Sequence, residues 1–136
     1  MSSWLFPAFI AFVLWGLWAF VPKITVQYVD PRSALFFQAL GAFLFGLVVL
    51  ASLEFRPMLH ERALPLAMIT GVMGVAGGLA YLYAVARGPV SLISGLTALY
   101  PVLTVLLANL FLGEAVSPRQ WLGIILGLFA IVLVIG

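Results

Sequence analysis

Long stretches without charge, separated by short polar segments, are the main pattern of this sequence. The ten charged residues leave five uncharged blocks, at residues 1–22, 33–53, 63–86, 88–113 and 120–136. Each block is close to the ~20 residues that carry an α-helix across ~30 Å of hydrocarbon. The blocks lack the alternation of barrel strands, and lipid admits only helices or closed barrels because every backbone group must be paired.

The pattern therefore predicts an all-α integral membrane protein with one domain over residues 1–136. Its five transmembrane helices are expected at about 4–22, 33–53, 64–86, 90–112 and 119–136. The first block has no basic residues before it and exceeds the ~7 to 15 apolar residues of a signal peptide, so we expect it to remain as a span.

Composition agrees with this class, because 65% of the residues are hydrophobic and only 7% are charged, against ~25% in average chains. The sequence has no Cys, which excludes disulfides, zinc–thiolate sites and a thiol redox pair. The net charge of +2 is carried by scattered residues, so no nucleic-acid-binding patch is expected.

Acidic residues and His are absent from all five blocks. They lie in loops or at block ends, at Asp30, Glu54, His60, Glu61 and Glu114. Proton-driven antiporters and metal-dependent membrane enzymes need an ionisable group at depth in the membrane. We therefore expect neither an enzyme nor coupling through a buried carboxylate, and no metal or cofactor.

The basic residues are evenly divided between the two sides of the membrane. An odd number of helices places three on the side of the amino terminus and three opposite, namely Arg56, Arg62 and Arg119 against Lys23, Arg32 and Arg87. Cytoplasmic loops usually carry an excess of Lys and Arg. The balance predicts dual topology, with copies inserted both ways and paired head to tail. Alternatively, a small count balances by accident while other signals set the orientation.

Aromatic residues share one face of the first predicted helix. Trp15, Trp18 and Pro22 recur at i, i+3 and i+7, so they line up along the helix. This face is interpreted as the aromatic wall of a substrate cavity. The alternative is packing against lipid or other helices, since Trp is common in membrane helices near the interface.

The fourth predicted helix combines hydroxyl groups with a proline. Ser94, Thr97, Pro101 and Thr104 recur at i, i+3, i+7 and i+10, with Tyr100 beside them. Pro101 frees a carbonyl near the middle of the block, which membrane helices tolerate where neighbours or water pair it. A kinked, polar face that lines a cavity is predicted. Alternatively, the hydroxyls bond their own i−4 carbonyls.

Small residues at helical spacing mark faces where helices approach closely. The third and fifth predicted helices carry such glycines, which we assign to helix packing or hinges: Gly71, Gly74, Gly78, Gly123 and Gly127. The last two form a G-x-x-x-G pair that suits a dimer.

Lys23 and Gln38 can each be interpreted in two ways. Lys23 either extends to the headgroups or lies at the mouth of a permeation path. Gln38 either bonds across helices or contacts a ligand.

Motifs along nearly the whole chain resemble one EamA repeat of the drug/metabolite transporter superfamily. They are Leu14-Trp15-Gly16, Pro22-Lys23, Asp30-Pro31, GLAYLYA at 78–84, Ala98-Leu99-Tyr100-Pro101-Val102, Leu112-Gly113-Glu114, and Gln120 with Gly123 and Gly127. Family members often have an Arg about seven residues after the proline that opens helix two, where this chain has Gln38. By resemblance, Glu114 is expected to be structural, paired with Arg119 across the short loop.

Familiar members of this superfamily carry two such repeats, ten helices in all, with the second repeat inverted. The resemblance therefore implies a half-sized member that pairs as an antiparallel ten-helix homodimer, or with a sister half-repeat as a heterodimer. Its partners are then a small-molecule substrate, the lipid bilayer and a second chain, with no nucleic acid. The expected location is a bacterial or archaeal cell (inner) membrane.

The expected function is transport of small metabolites by alternating access. The substrate pocket is predicted to be lined by Trp15, Trp18, Tyr81, Thr97, Tyr100, Pro101 and Thr104. One alternative is a drug exporter like the small multidrug resistance proteins, or a lipid-carrier flippase. Those exporters rely on an acidic residue in helix one, which this chain lacks. The other alternative is a membrane scaffold subunit that transports nothing. The substrate, the direction and the coupling ion do not follow from the sequence.

Overall fold

A computed structural model describes residues 4–135, which form helices and no strand. The helices are α1 (Leu5–Thr25), α2 (Pro31–Ser52), α3 (Ala63–Arg87), α4 (Val90–Thr97), α5 (Tyr100–Leu112) and α6 (Pro118–Ile135). Because α4 and α5 are the two halves of the fourth predicted helix, the predicted order of five helices is present.

Four stretches are long and apolar enough to cross a membrane. They are α1, α2, α3 and the segment Val90–Leu112 that contains α4 and α5. The fifth helix, α6, is apolar but shorter, with its apolar stretch at Pro118–Leu133.

The proline of α1 does not end the helix. Because proline only lacks its own N–H, residues beyond it can still bond backward, and the Val26 N–H donates to the Pro22 carbonyl at 3.0 Å. Helix α1 therefore continues to Thr25, one turn past the predicted end.

Helix α2 begins at Pro31 because Asp30 caps it. The Asp30 carboxylate accepts hydrogen bonds from the backbone N–H groups of Arg32 and Ser33 at 2.9 and 3.2 Å. Pro31 occupies the first helical position, where its missing N–H costs nothing. The Ser33 hydroxyl also donates to this carboxylate. Mainly through that bond, and then through the backbone N–H of Ser33, the pKa of Asp30 is lowered from its ordinary value of 3.8.

The fourth predicted helix is broken into two at Ala98 and Leu99. Since Pro101 has no N–H, it leaves the carbonyl of Thr97 without its i+4 donor. The chain tightens at this point, with i−3 bonds from the Leu99 N–H to the Leu96 carbonyl at 3.2 Å and from the Val102 N–H to the Leu99 carbonyl at 2.9 Å. Within the predicted span 90–112, the kink expected at Pro101 is therefore a turn that joins two helices.

Gly113 ends α5 in the left-handed conformation. Its φ of 66° is one that residues with a Cβ adopt at a cost, and the N–H of the following residue, Glu114, donates to the Ala108 carbonyl at 3.3 Å. This geometry gives the Leu112-Gly113-Glu114 motif a structural role as a helix stop.

The chain divides into two units, Met1–Arg87 and Gly88–Gly136. In the first unit α3 packs against both α1 and α2, and in the second α4 packs against α6. The small buried core of the first unit consists of Pro22, Ala34, Gly78, Tyr81, Leu82 and Val85. Most large apolar side chains are exposed instead. In lipid this is expected, because there is no hydrophobic drive to bury them between helices.

Candidate functional site

Two of the predicted pocket residues contact each other in the first unit. The rings of Trp18 on α1 and Tyr81 on α3 lie with centroids 5.5 Å apart and planes tilted by 31°. The Tyr81 hydroxyl donates to the Ala19 carbonyl at 2.7 Å, and its side chain is buried. Trp18 keeps 46% of its surface exposed. Tyr81 thus holds the indole in place, while the indole presents the free surface.

Trp15 lies on the same helix, one turn before Trp18. It is 61% exposed, so a large aromatic face is open on α1. The next turn of α1 carries Pro22, which supplies no N–H to the Trp18 carbonyl. The first unit therefore presents two adjacent indoles on α1, one turn before a proline inside the same helix.

Lys23 occupies a position that neither sequence interpretation described. Its Nζ donates to the carbonyl of Val85 at 2.7 Å, and its side chain is half-buried. This carbonyl lies in the last turn of α3, and its i+4 residue is Pro89, which has no N–H. Lys23 therefore caps the carboxyl end of α3, where a cation also complements the helix dipole. The sequence signal for this was the spacing of Val85 and Pro89.

Tyr83 joins two arginines at the same end of the first unit. Its hydroxyl accepts a bond from Arg32 Nε at 3.0 Å, and the Arg87 guanidinium lies 5.2 Å from its ring centroid. The loop charges had placed Arg32 and Arg87 on one side of the membrane. Sequence reasoning missed Tyr83, although it precedes Arg87 by the four residues of a helical turn.

Gln38 is half-buried on α2. Within residues 4–135 its side chain has no recorded hydrogen bond, so the choice between helix contact and ligand contact stays a prediction.

The predicted hydroxyl groups of the second unit bond to their own helices. Thr97 donates to the Ile93 carbonyl at 2.9 Å, and Thr104 donates to the Tyr100 carbonyl at 3.2 Å. The hydroxyls therefore bond to carbonyls of their own helix, which was the alternative considered from the sequence, and each hydroxyl proton is used in that bond. The oxygen lone pairs are still able to accept hydrogen bonds.

Tyr100 and Pro101 lie at the start of α5, directly after the break. Tyr100 is 57% exposed, and Pro101 is the residue that causes the break. The second unit thus places an exposed phenol, a proline and two hydroxyls around one interruption of the helix. The prediction that these residues form one pocket with Trp15, Trp18 and Tyr81 stays a prediction.

A groove of about 510 Å³ lies in the second unit, between α5 and α6. We name it the α5–α6 groove; its walls include Thr104, Ala108, Glu114, Gln120, Gly123 and Ile124. Glu114 lines it, and no ion pair with Arg119 is recorded in the described part of the chain. The expected pairing of Glu114 with Arg119 is therefore wrong. The backbone of Glu114 is held instead, because its carbonyl accepts from Asn109 Nδ2 at 2.8 Å.

The predicted packing glycines differ in their surroundings. At Gly78 an added Cβ would lie 3.7 Å from Leu35 and 3.9 Å from Trp18, so this glycine is in contact with neighbouring helices. At Gly71 and Gly74 an added Cβ would meet nothing within 4 Å, and Gly71 borders an apolar groove of about 490 Å³.

The glycines of α6, which is the fifth predicted helix, also face open space. Neither Gly123 nor Gly127 would bring an added Cβ within 4 Å of another group. Their assignment to packing between copies stays a prediction.

No group of three or more His, Cys, Asp or Glu side chains that could hold a metal occurs among the described residues.

Comparison with known proteins gives three findings. Residues 2–136 match the model of the EamA-like transporter family. An uncharacterized protein of Methanocaldococcus jannaschii is 28% identical over 121 residues, which are 89% of this chain and 88% of that protein. No solved structure matches the chain significantly.

Proposed function

Because this chain belongs to the EamA-like transporter family, we propose that it moves small metabolites across a membrane by alternating access, as a homodimer of oppositely inserted copies. The family consists of transporters and not of enzymes. With four long apolar helices, the chain is a multi-pass membrane protein. The observation that carries the proposal is the family match, since apolar helices alone would equally suit a subunit that transports nothing.

Opposite insertion is supported by the loop charges and by the length of the archaeal relative. Three basic residues lie on each side of the predicted topology, so neither orientation is favoured. The 121 aligned residues make up 88% of the archaeal relative, which leaves room in it for one repeat only. Two inverted copies of a five-helix repeat reproduce the inverted-repeat arrangement of transporters. The location proposed is a bacterial or archaeal cell (inner) membrane.

Substrate contact is proposed for the residues predicted from the sequence. Trp15 and Trp18 offer exposed indole surface, which suits apolar or cationic parts of a substrate. Tyr81 would act mainly by holding Trp18, because its hydroxyl is bonded to the backbone of α1. Tyr100 and Pro101 adjoin the break between α4 and α5, which we propose as a hinge for alternating access.

Transport is tested with purified protein in liposomes loaded with a mixture of amino acids, nucleobases and amines. We expect efflux of at least one class, measured by mass spectrometry. Trp15→Ala should lower that rate several-fold, whereas Trp4→Ala, which removes another exposed indole of the same region, should not. No efflux across a broad screen, together with one specific protein that co-purifies, would favour the scaffold subunit instead.

Orientation is tested separately with a single introduced thiol, which is unique because the chain has no Cys. We expect a membrane-impermeant maleimide to label Glu61→Cys in about half of the molecules of intact cells. Labelling of all molecules, or of none, would exclude dual topology and leave the transport proposal untouched.

A further inference from the structure

The α5–α6 groove has the size and the wall chemistry of a ligand site. Its volume of about 510 Å³ lies within the ~300 to 1,000 Å³ typical of small-molecule pockets. Ala108 and Ile124 contribute apolar walls, and Thr104, Glu114 and Gln120 contribute polar groups. A few polar groups on an apolar surface are what orient a bound molecule.

Only one of the residues that line this groove carries a charge, and that charge is negative. Glu114 is the acidic residue, and no Lys, Arg or His is among the lining residues. Among residues 4–135, no hydrogen bond or ion pair is formed with the Glu114 carboxylate. The carboxylate is therefore available to a cation, and the groove contains no charge that would attract an anion.

The uncharged polar groups of the groove are partly used within the protein. The Thr104 hydroxyl proton is donated to Tyr100, so this oxygen presents lone pairs only. The amide oxygen of Gln120 accepts from the backbone N–H and the hydroxyl of Ser117 at 2.7 and 2.9 Å. Those two donors fix the orientation of the amide, with its oxygen toward Ser117. What the groove offers a ligand is thus one carboxylate, one hydroxyl acceptor and apolar walls.

We propose that the α5–α6 groove binds a small organic cation, with an ammonium group on the Glu114 carboxylate and an apolar body along Ala108 and Ile124. Gly123 lines the groove, and an added Cβ there would meet no other atom within 4 Å. This site goes beyond the proposed function, since binding is measurable without transport.

Binding is tested on the full chain in maltoside micelles, which contain no ammonium group. The probes are phenethylammonium and 3-phenylpropionate, which share a phenyl body and differ in the sign of the charge. By titration calorimetry we expect saturable binding of the ammonium and none of the carboxylate. Equal binding of both probes, or of the carboxylate alone, would overturn the proposal.

Two variants of the groove make the test specific. Glu114→Gln removes the charge and keeps the backbone bond to Asn109, and we expect about tenfold weaker binding of phenethylammonium. Glu61→Gln, which makes the same change outside the groove, should leave affinity unchanged. Unaltered affinity in Glu114→Gln would overturn the proposal.

Gly123→Leu covers the case in which Glu114→Gln does not fold. The leucine side chain fills the groove while the carboxylate stays, so phenethylammonium binding should be lost. Retained binding in this variant would refute the groove as the site. Competition by phosphatidylethanolamine that displaces the probe at equal concentration would identify a lipid headgroup as the occupant and refute a soluble cation.

Discussion

Replacement of Lys23 by Met should destabilise the first unit, although it makes a membrane helix more apolar. Methionine keeps a similar length and flexibility and removes every N–H donor of the side chain. The carbonyl of Val85 then loses the bond at 2.7 Å. Its helical i+4 donor is absent, because that residue is Pro89. Water does not reach it readily either, since Val85 is 0% exposed.

The expected size follows from the nature of this bond. Hydrogen bonds that involve a charged group contribute ~1.5 to 3 kcal/mol in soluble proteins. Side-chain bonds in membrane proteins average ~0.6 and reach ~1.7 kcal/mol. Because the acceptor is buried and the donor is charged, we expect a loss near the upper membrane value, about 1.5 kcal/mol. That is roughly a tenfold change in the unfolding equilibrium.

The assay is unfolding by sodium dodecyl sulfate in mixed micelles, followed by tryptophan fluorescence. Lys23→Arg retains a cationic donor and should recover most of the stability. Arg56→Met makes a comparable loss of charge in the exposed loop after α2 and should change little. Equal unfolding midpoints for Lys23→Met and Arg56→Met would show that the cap on α3 contributes nothing.

Three further substitutions test separate contacts. Tyr81→Phe removes the bond to the Ala19 carbonyl and should cost about 1 kcal/mol of unfolding free energy, read in the same assay; no change would exclude the bond. Gly78→Leu should cost about 1 to 3 kcal/mol through overpacking, whereas Gly74→Leu should be tolerated; the reverse order would contradict the packing. The folded-state pKa of Asp30 is lowered from its ordinary value of 3.8, so its stabilisation is complete above that value and is lost as pH falls through the folded pKa. Asp30→Asn should weaken that acid dependence, and an identical pH profile would refute it.

The helices were accessible from the sequence because lipid restricts the possible folds, and the family was accessible from its motifs. A charge-free block of about 20 residues has to form a helix, since no water pairs its backbone. The break near Pro101 was also visible as a local signal, because the effect of the missing N–H is confined to about one turn. The position of the break, at Ala98 and Leu99, required the backbone hydrogen bonds.

Contacts between helices depended on the tertiary structure. Helical spacing shows which residues share a face, but it does not show which neighbour that face meets. Gly71, Gly74 and Gly78 form one stripe in the sequence, yet only Gly78 has neighbours within 4 Å of an added Cβ.

Backbone acceptors were the other feature that only the fold decided. Lys23 and Tyr81 donate to carbonyls of helices distant in sequence, at Val85 and Ala19. The order of side chains along the sequence does not show which carbonyl accepts such a bond, because every residue carries the same carbonyl. Which carbonyl lacks a helical donor follows from proline positions, and which side chain reaches it follows from how the helices pack.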